Sequence, residues 1–67
     1  MLARFLEQRI VGIEVKFAAS ITASDAKPLK SLAAELGSRF VRGVVLYAGS
    51  ETVPFERNIH GLPVSAL

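Results

Sequence analysis

Hydrophobic and polar positions alternate along Arg9 to Ala18 as they do in a β-strand. The stretch is rich in β-branched residues, and Gly12 is its only weak position. Successive strand side chains point to opposite faces, so the alternation separates an apolar set from a charged set. The apolar set is Val11, Ile13, Val15 and Phe17, and the charged set is Glu14 and Lys16. The pattern predicts a strand with one apolar face and one face that carries a carboxylate and an ammonium group.

A helix is predicted from Ala26 to Leu36. Its apolar residues recur at i, i+3, i+4 and i+7, which lines one helical face. These residues are Leu29, Leu32, Ala33 and Leu36. We expect Asp25 to be the N-cap, because Pro28 then stands at the third helical position, where its missing N–H has no helical partner. Gly37 supplies the C-terminal stop.

Two kinds of extended segment follow the helix. Phe40 to Ala48 is nearly continuous in apolar residues, as in a strand covered on both faces. The tail holds two short extended pieces, about Thr52 to Phe55 and Ile59 to Val64. Pro54 and Pro63 lack an N–H for a sheet ladder, so they favour edge positions for both pieces.

Strand, helix and strand in this order predict a βαβ unit with two parallel main strands and a right-handed crossover. The tail pieces add a short antiparallel edge. Residues 1–8 fit either a strand in a hairpin with the next one or a single helical turn. The helix should pack on one face of the first strand, either that of Val11, Ile13 and Val15 or the opposite one. The expected fold class is α/β, of the α+β kind, in one small domain of residues 1–67.

Composition narrows the chemistry. A chain of 67 residues without cysteine has no disulfide framework or thiolate metal cage, and a lone His60 rules out a His-rich zinc site. His60, beside Gly61, is expected to be a surface or turn residue. A net charge of +2 is too small to indicate nucleic-acid binding. The longest apolar run, Val44 to Ala48, is far below the ~20 residues that span a bilayer. We therefore expect a cytoplasmic protein with no membrane partner.

The spacing of Glu14 and Lys16 has two interpretations. They could form an ion pair on a solvent-exposed strand face, a contact that contributes ~0–1 kcal/mol. Alternatively, the strand could present a hard oxygen ligand and a cation on one face, as metal-assisted phosphodiester cleavage requires. The residues alone favour the structural interpretation, because charged pairs occur widely outside active sites.

From about Arg9 onward the chain closely resembles a known family. The segments "EVK", "ASD", "LGSRFVRGVVLYAG" and "LPVSAL" occur in order. They resemble the C-terminal end of bacterial and archaeal ATP-binding proteins of the AAA+ type, which carry a C-terminal domain of unknown function. That domain is in turn similar to the PD-(D/E)xK nuclease superfamily. The resemblance implies a partial restriction-endonuclease-like fold and places the chain in the C-terminal part of a larger ATPase-family protein.

The resemblance also implies roles for individual residues. Glu14 would be a magnesium ligand, Val15 would offer its backbone carbonyl, and Lys16 would steady the attacking water or the phosphate charge. The superfamily supplies a further aspartate on the preceding strand. Before Glu14 this chain has one acidic residue, Glu7, and no aspartate. We expect an incomplete or vestigial site that holds no cofactor by itself and takes Mg²⁺ only if another carboxylate completes it.

The functional expectation is an interaction or oligomerisation module without catalysis of its own. Its partners would be the parent ATPase domain and a second copy in a homodimer, because a PD-(D/E)xK-like sheet normally has more strands than this chain supplies. The alternative is a metal-dependent nuclease or nucleic-acid-binding module with Glu14 and Lys16 in the site.

Overall fold

The computed structural model describes residues 2–4 and 9–66. These residues form a five-stranded sheet and one α-helix, together with three short 3₁₀ turns. The strands are β1 (Leu2–Arg4), β2 (Ile10–Lys16), β3 (Phe40–Tyr47), β4 (Val53–Glu56) and β5 (Ile59–Pro63), and the helix is α1 (Lys27–Leu36). The 3₁₀ turns span Ala23–Ala26, Gly37–Arg39 and Val64–Ala66.

The sheet has the order β1-β2-β3-β5-β4. β2 and β3 are parallel and joined through α1, so the predicted βαβ core is confirmed. β4 is antiparallel to β5 and forms the predicted antiparallel edge. β1 pairs antiparallel with β2, which confirms the strand interpretation for Leu2–Arg4, while residues 5–8 lie outside the described residues.

The prediction that both tail pieces are edge strands is wrong for β5. This strand lies between β3 and β4 and runs parallel to β3. Pro63 is its last residue, opposite Tyr47, so the missing N–H falls where the ladder ends. Pro54 does lie in an edge strand, the position in which a proline is tolerated. The outcome is a core of three parallel strands, β2, β3 and β5.

A paired glycine position brings the helix close to the sheet. Gly12 on β2 is opposite Gly43 on β3. A Cβ atom on Gly12 would lie 2.7 Å from Leu29 Cδ2, and one on Gly43 would lie 3.2 Å from Leu29 Cδ1. The helix therefore rests directly on backbone, and the buried cluster forms around this contact. That cluster consists of Ala26, Leu29, Phe40, Val45 and Ile59.

The helix begins one residue later than predicted, and its start is built differently. A 3₁₀ turn, Ala23–Ala26, precedes it, and Ala26 is the N-cap of α1. The expected N-cap role of Asp25 is therefore wrong, because the chain is already turning at this residue. Pro28 lies in the first turn of α1, where its missing N–H is tolerated. Gly37 ends the helix with φ +56°, the left-handed conformation that favours glycine.

Candidate functional site

Glu14 and Lys16 lie on the face of the sheet that α1 covers. Glu14 is opposite Val45 and Lys16 is opposite Tyr47, and both partners are buried. Because cross-strand neighbours share a face, the charged pair belongs to the same side as the core. Glu14 is half-buried and Lys16 is exposed at the carboxyl end of β2. The charged face of this strand is thus the one that packs beneath the helix.

Asp25 holds Lys16. Lys16 Nζ donates to Asp25 Oδ1 at 2.7 Å, which links β2 to the turn that precedes α1. Glu14 forms no ion pair within residues 9–66. The expected pair between Glu14 and Lys16 is therefore wrong, because the chain after β2 folds back and brings a different carboxylate within reach of the ammonium group.

A second hydrogen bond fixes the carboxylate of Asp25. Its Oδ2 atom accepts the backbone N–H of Thr22 at 2.8 Å. The hydrogen bond from Lys16 and that from the Thr22 N–H both stabilise the ionised carboxyl group, so together they lower the pKa of Asp25 below its ordinary value of 3.8. The Lys16 contact is the larger cause. Asp25 thus fastens the end of β2 to the start of the helical segment.

Replacing Asp25 by asparagine should destabilise the fold at neutral pH and much less in acid. The pKa of Asp25 is lower in the folded state than in the unfolded chain. Its contribution is therefore complete above pH 3.8 and is lost as the pH falls through the folded-state pKa. Urea unfolding of wild type and Asp25→Asn between about pH 7 and about pH 2 measures the difference. Glu35→Gln, on the exposed side of α1, is the control. A wild-type advantage of constant size down to the acid end would contradict the assignment.

The described residues do not fit the magnesium site that the resemblance implies. The preceding strand, β1, consists of Leu2, Ala3 and Arg4, none of which carries a carboxylate. Asp25 already binds Lys16 and Thr22. Within the described ranges no group of three or more His, Cys, Asp or Glu side chains could hold a metal ion. Glu14 is left as a lone carboxylate, whereas Mg²⁺ requires fixed near-octahedral coordination. Glu7 lies outside the described residues.

The second candidate site is the face of the sheet opposite α1, which we name the open face. Beside Ala3 of β1, which is opposite Val11, strand alternation and register place nine residues of β2 to β5 on it. They are Val11, Ile13, Val15, Arg42, Val44, Leu46, Pro54, His60 and Leu62. None of the nine is buried, whereas all three β5 residues on the helix side are buried. The helix thus leaves the apolar set of β2 uncovered, which consists of Val11, Ile13 and Val15.

The open face is graded along the strand direction. At the amino ends of the parallel strands, Val11 is opposite the exposed Arg42. At the carboxyl ends, Val15 is opposite Leu46. Beyond them lies Phe17, which follows β2 and is 96 % exposed. The face is therefore basic at one end and strongly apolar at the other.

His60 lies in the middle of the open face. It is opposite Val44 on one side and Pro54 on the other. Its Nδ1 atom is buried and has no hydrogen-bond partner among the described residues. Of the expected surface or turn positions, the turn is wrong, because the turn is at Arg57 and Asn58, and His60 is a half-buried residue of β5 on the open face. Among the described residues, its surroundings lack the further ligands that a metal site needs.

A family model matches residues 2–67, which is almost the whole chain. The chain belongs to the DUF4143 family. This family is described as a domain of unknown function. No curated protein and no solved structure matches the chain. The match covers every described strand and the helix, so both Glu14 with Lys16 and the open face lie inside the DUF4143 domain.

In the described part of this DUF4143 domain, no helix has the length and apolar character that crossing a membrane requires.

Proposed function

We propose that this DUF4143 domain is a self-association module without catalysis of its own. The observation that carries the proposal is the open face: α1 lies on the other side of the sheet, and Val15 and Phe17 are exposed. All-parallel sheets occur almost only with both faces covered, and the three central strands of this mixed sheet, β2, β3 and β5, are parallel. Another protein surface is therefore expected on the open face.

The occupant that we propose is a further copy of this chain. Face-to-face packing of two sheets at about 10 Å buries apolar faces of this kind. In the ATP-binding proteins that the sequence resembles, such a module would join protomers through their C-terminal ends.

The absence of catalysis rests on coordination chemistry. A lone carboxylate such as Glu14 binds Mg²⁺ weakly and orients neither a water nor a phosphate. Lys16 is paired with Asp25, so its charge is already partly neutralised. Within the described residues, the nuclease alternative therefore lacks the second carboxylate that would favour it.

Light scattering of the purified chain tests the association. We expect an average mass above the monomer value of 7.2 kDa that rises with concentration across the micromolar range. Val15→Asp, which adds a charge to the open face, should stay monomeric. Ala34→Asp, which adds the same charge on the exposed side of α1, should associate like wild type. Circular dichroism verifies the fold of both variants. A wild type that remains monomeric, or two variants that behave alike, would contradict the proposal.

The same preparations test the absence of catalysis. Single- and double-stranded DNA and RNA should remain intact in the presence of Mg²⁺ or Mn²⁺. Metal-dependent cleavage that disappears in a Glu14→Gln variant would overturn this half of the proposal and favour the nuclease.

A further inference from the structure

We infer that the association is a two-fold dimer in which two open faces pack with their strands antiparallel, so that Phe17 of each copy covers the Arg42 end of the other. The inference rests on the proposed self-association and adds its stoichiometry, its orientation and its anchor residue. Three observations carry it: the position of the exposed hydrophobic residues, the position of the charge and the size of the face.

Three of the four exposed large hydrophobic residues in the described structure, Val15, Phe17 and Val64, lie at the carboxyl ends of the parallel strands, and the fourth, Val41, lies at the amino end of β3. Phe17 is 96 % exposed, and Val64, which follows β5, is 50 % exposed. Both come directly after the register row that joins Lys16, Tyr47 and Pro63. A phenylalanine with almost its whole surface in water contributes nothing to the monomer core. Large aromatic side chains of this kind are the usual anchors of protein interfaces.

Charge selects the orientation. Among the described residues, the open face has a basic residue at its amino end, Arg42, and no carboxylate. If the two-fold axis ran along the strands, each level of the face would meet the same level of the other copy. The two Arg42 side chains would then meet across a dry interface. Like charges in contact there are strongly unfavourable.

An axis across the strands avoids this repulsion. It exchanges the two ends of the face, so the arginines lie at opposite rims. Each Arg42 then lies beside Phe17 of the other copy. An arginine over an aromatic ring is attracted by the ring quadrupole, so this orientation gives the charge a partner as well as removing the repulsion.

The size of the face fits one additional copy. Five strands spaced ~4.8 Å apart, with ~3.3 Å per residue over a mean of about five residues, give a face of roughly 24 by 17 Å. Two such faces bury roughly 800 Å², which is in the range of weak interfaces. Complete overlap is therefore needed, and it occupies the whole face. The expected product is a weak dimer and not a larger assembly.

Single-cysteine variants test the arrangement, since the chain has no cysteine of its own. Phe17→Cys and Arg42→Cys alter exposed side chains, so both variants should fold. A short thiol-to-thiol crosslinker should join a mixture of the two into a covalent dimer and should join neither variant efficiently by itself. Ser31→Cys, on the exposed side of α1, should not crosslink with either.

The outcomes separate this inference from the proposed function. Efficient crosslinking of Phe17→Cys alone would show that carboxyl ends meet and would overturn the orientation. Light scattering that shows dimers with no crosslink in the mixture would also overturn it, while self-association would stand. A monomeric wild type would refute both. Separately, Phe17→Ser should weaken dimerisation at least about tenfold, and unchanged dimerisation in this variant would remove Phe17 as the anchor.

Discussion

Truncation of Leu29 to alanine is expected to lower the free energy of unfolding by about 2–5 kcal/mol. Leu29 is buried at the centre of the core, and its two δ-methyl groups lie over the backbone of Gly12 and Gly43. Because both positions are glycine, the sheet has no side chains there that could move into the space left by the shortened Leu29. The cavity should therefore persist, and its cost is a large fraction of the ~5–15 kcal/mol that stabilises a typical protein.

Urea or thermal unfolding followed by circular dichroism measures this loss. Leu32→Ala is the matched comparison on the same helix face. Leu32 also packs against the core but is only partly buried, so its truncation should cost less than that of Leu29. Equal losses for the two variants, or an unchanged stability in Leu29→Ala, would mean that the helix does not rest on the glycine pair.

Replacement of Gly12 by valine should also destabilise the fold strongly. The new Cβ would lie 2.7 Å from Leu29 Cδ2 and 3.2 Å from Leu32 Cδ2, which is closer than carbon atoms pack. The helix would have to move away from β2, and overpacking of this kind costs about 1–3 kcal/mol or more. The measurement is the same unfolding experiment.

A double-mutant cycle shows whether the cause is this contact. In the Leu29→Ala background the shortened side chain leaves room for the new Cβ, so Gly12→Val should cost clearly less than it does in wild type. Additive losses would instead indicate that the valine acts through the strand itself.

The charged site was only partly accessible from the sequence. The strand and the alternation placed Glu14 and Lys16 on one face correctly, because side-chain alternation is a local property of extended backbone. The partner of Lys16 was not accessible in this way. Asp25 is nine residues away, and the contact depends on how the chain turns after β2. Capping preferences alone suggested that Asp25 begins the helix. Its actual role, binding Lys16 and the Thr22 N–H, needs the tertiary structure.

The order of elements from β2 onward follows from the sequence alone, whereas residues 1–8 fitted either a strand or a helical turn. The helix spacing of Leu29, Leu32 and Leu36, together with the stop at Gly37, gave α1 to within one residue. Such patterns depend only on residues that are close together in the chain, so they can be recognised in a single sequence. The placement of β5 does not follow in this way. Pro63 suggested an edge strand. Only the sheet shows that this proline is the last residue of β5, so its missing N–H falls where the hydrogen-bond ladder ends.

The tertiary structure also decided which face of the first strand is covered. Hydrophobicity alone favours burial of Val11, Ile13 and Val15. The pattern of each strand taken separately, however, does not say which face of the sheet the helix covers. The helix covers the other face because Gly12 and Gly43 come into register there and leave space for Leu29. This register joins residues far apart in the chain, and no local pattern encodes it. The sequence therefore determined that an apolar face exists, and the packing of one helix over two glycines decided that this face is left for another surface to cover.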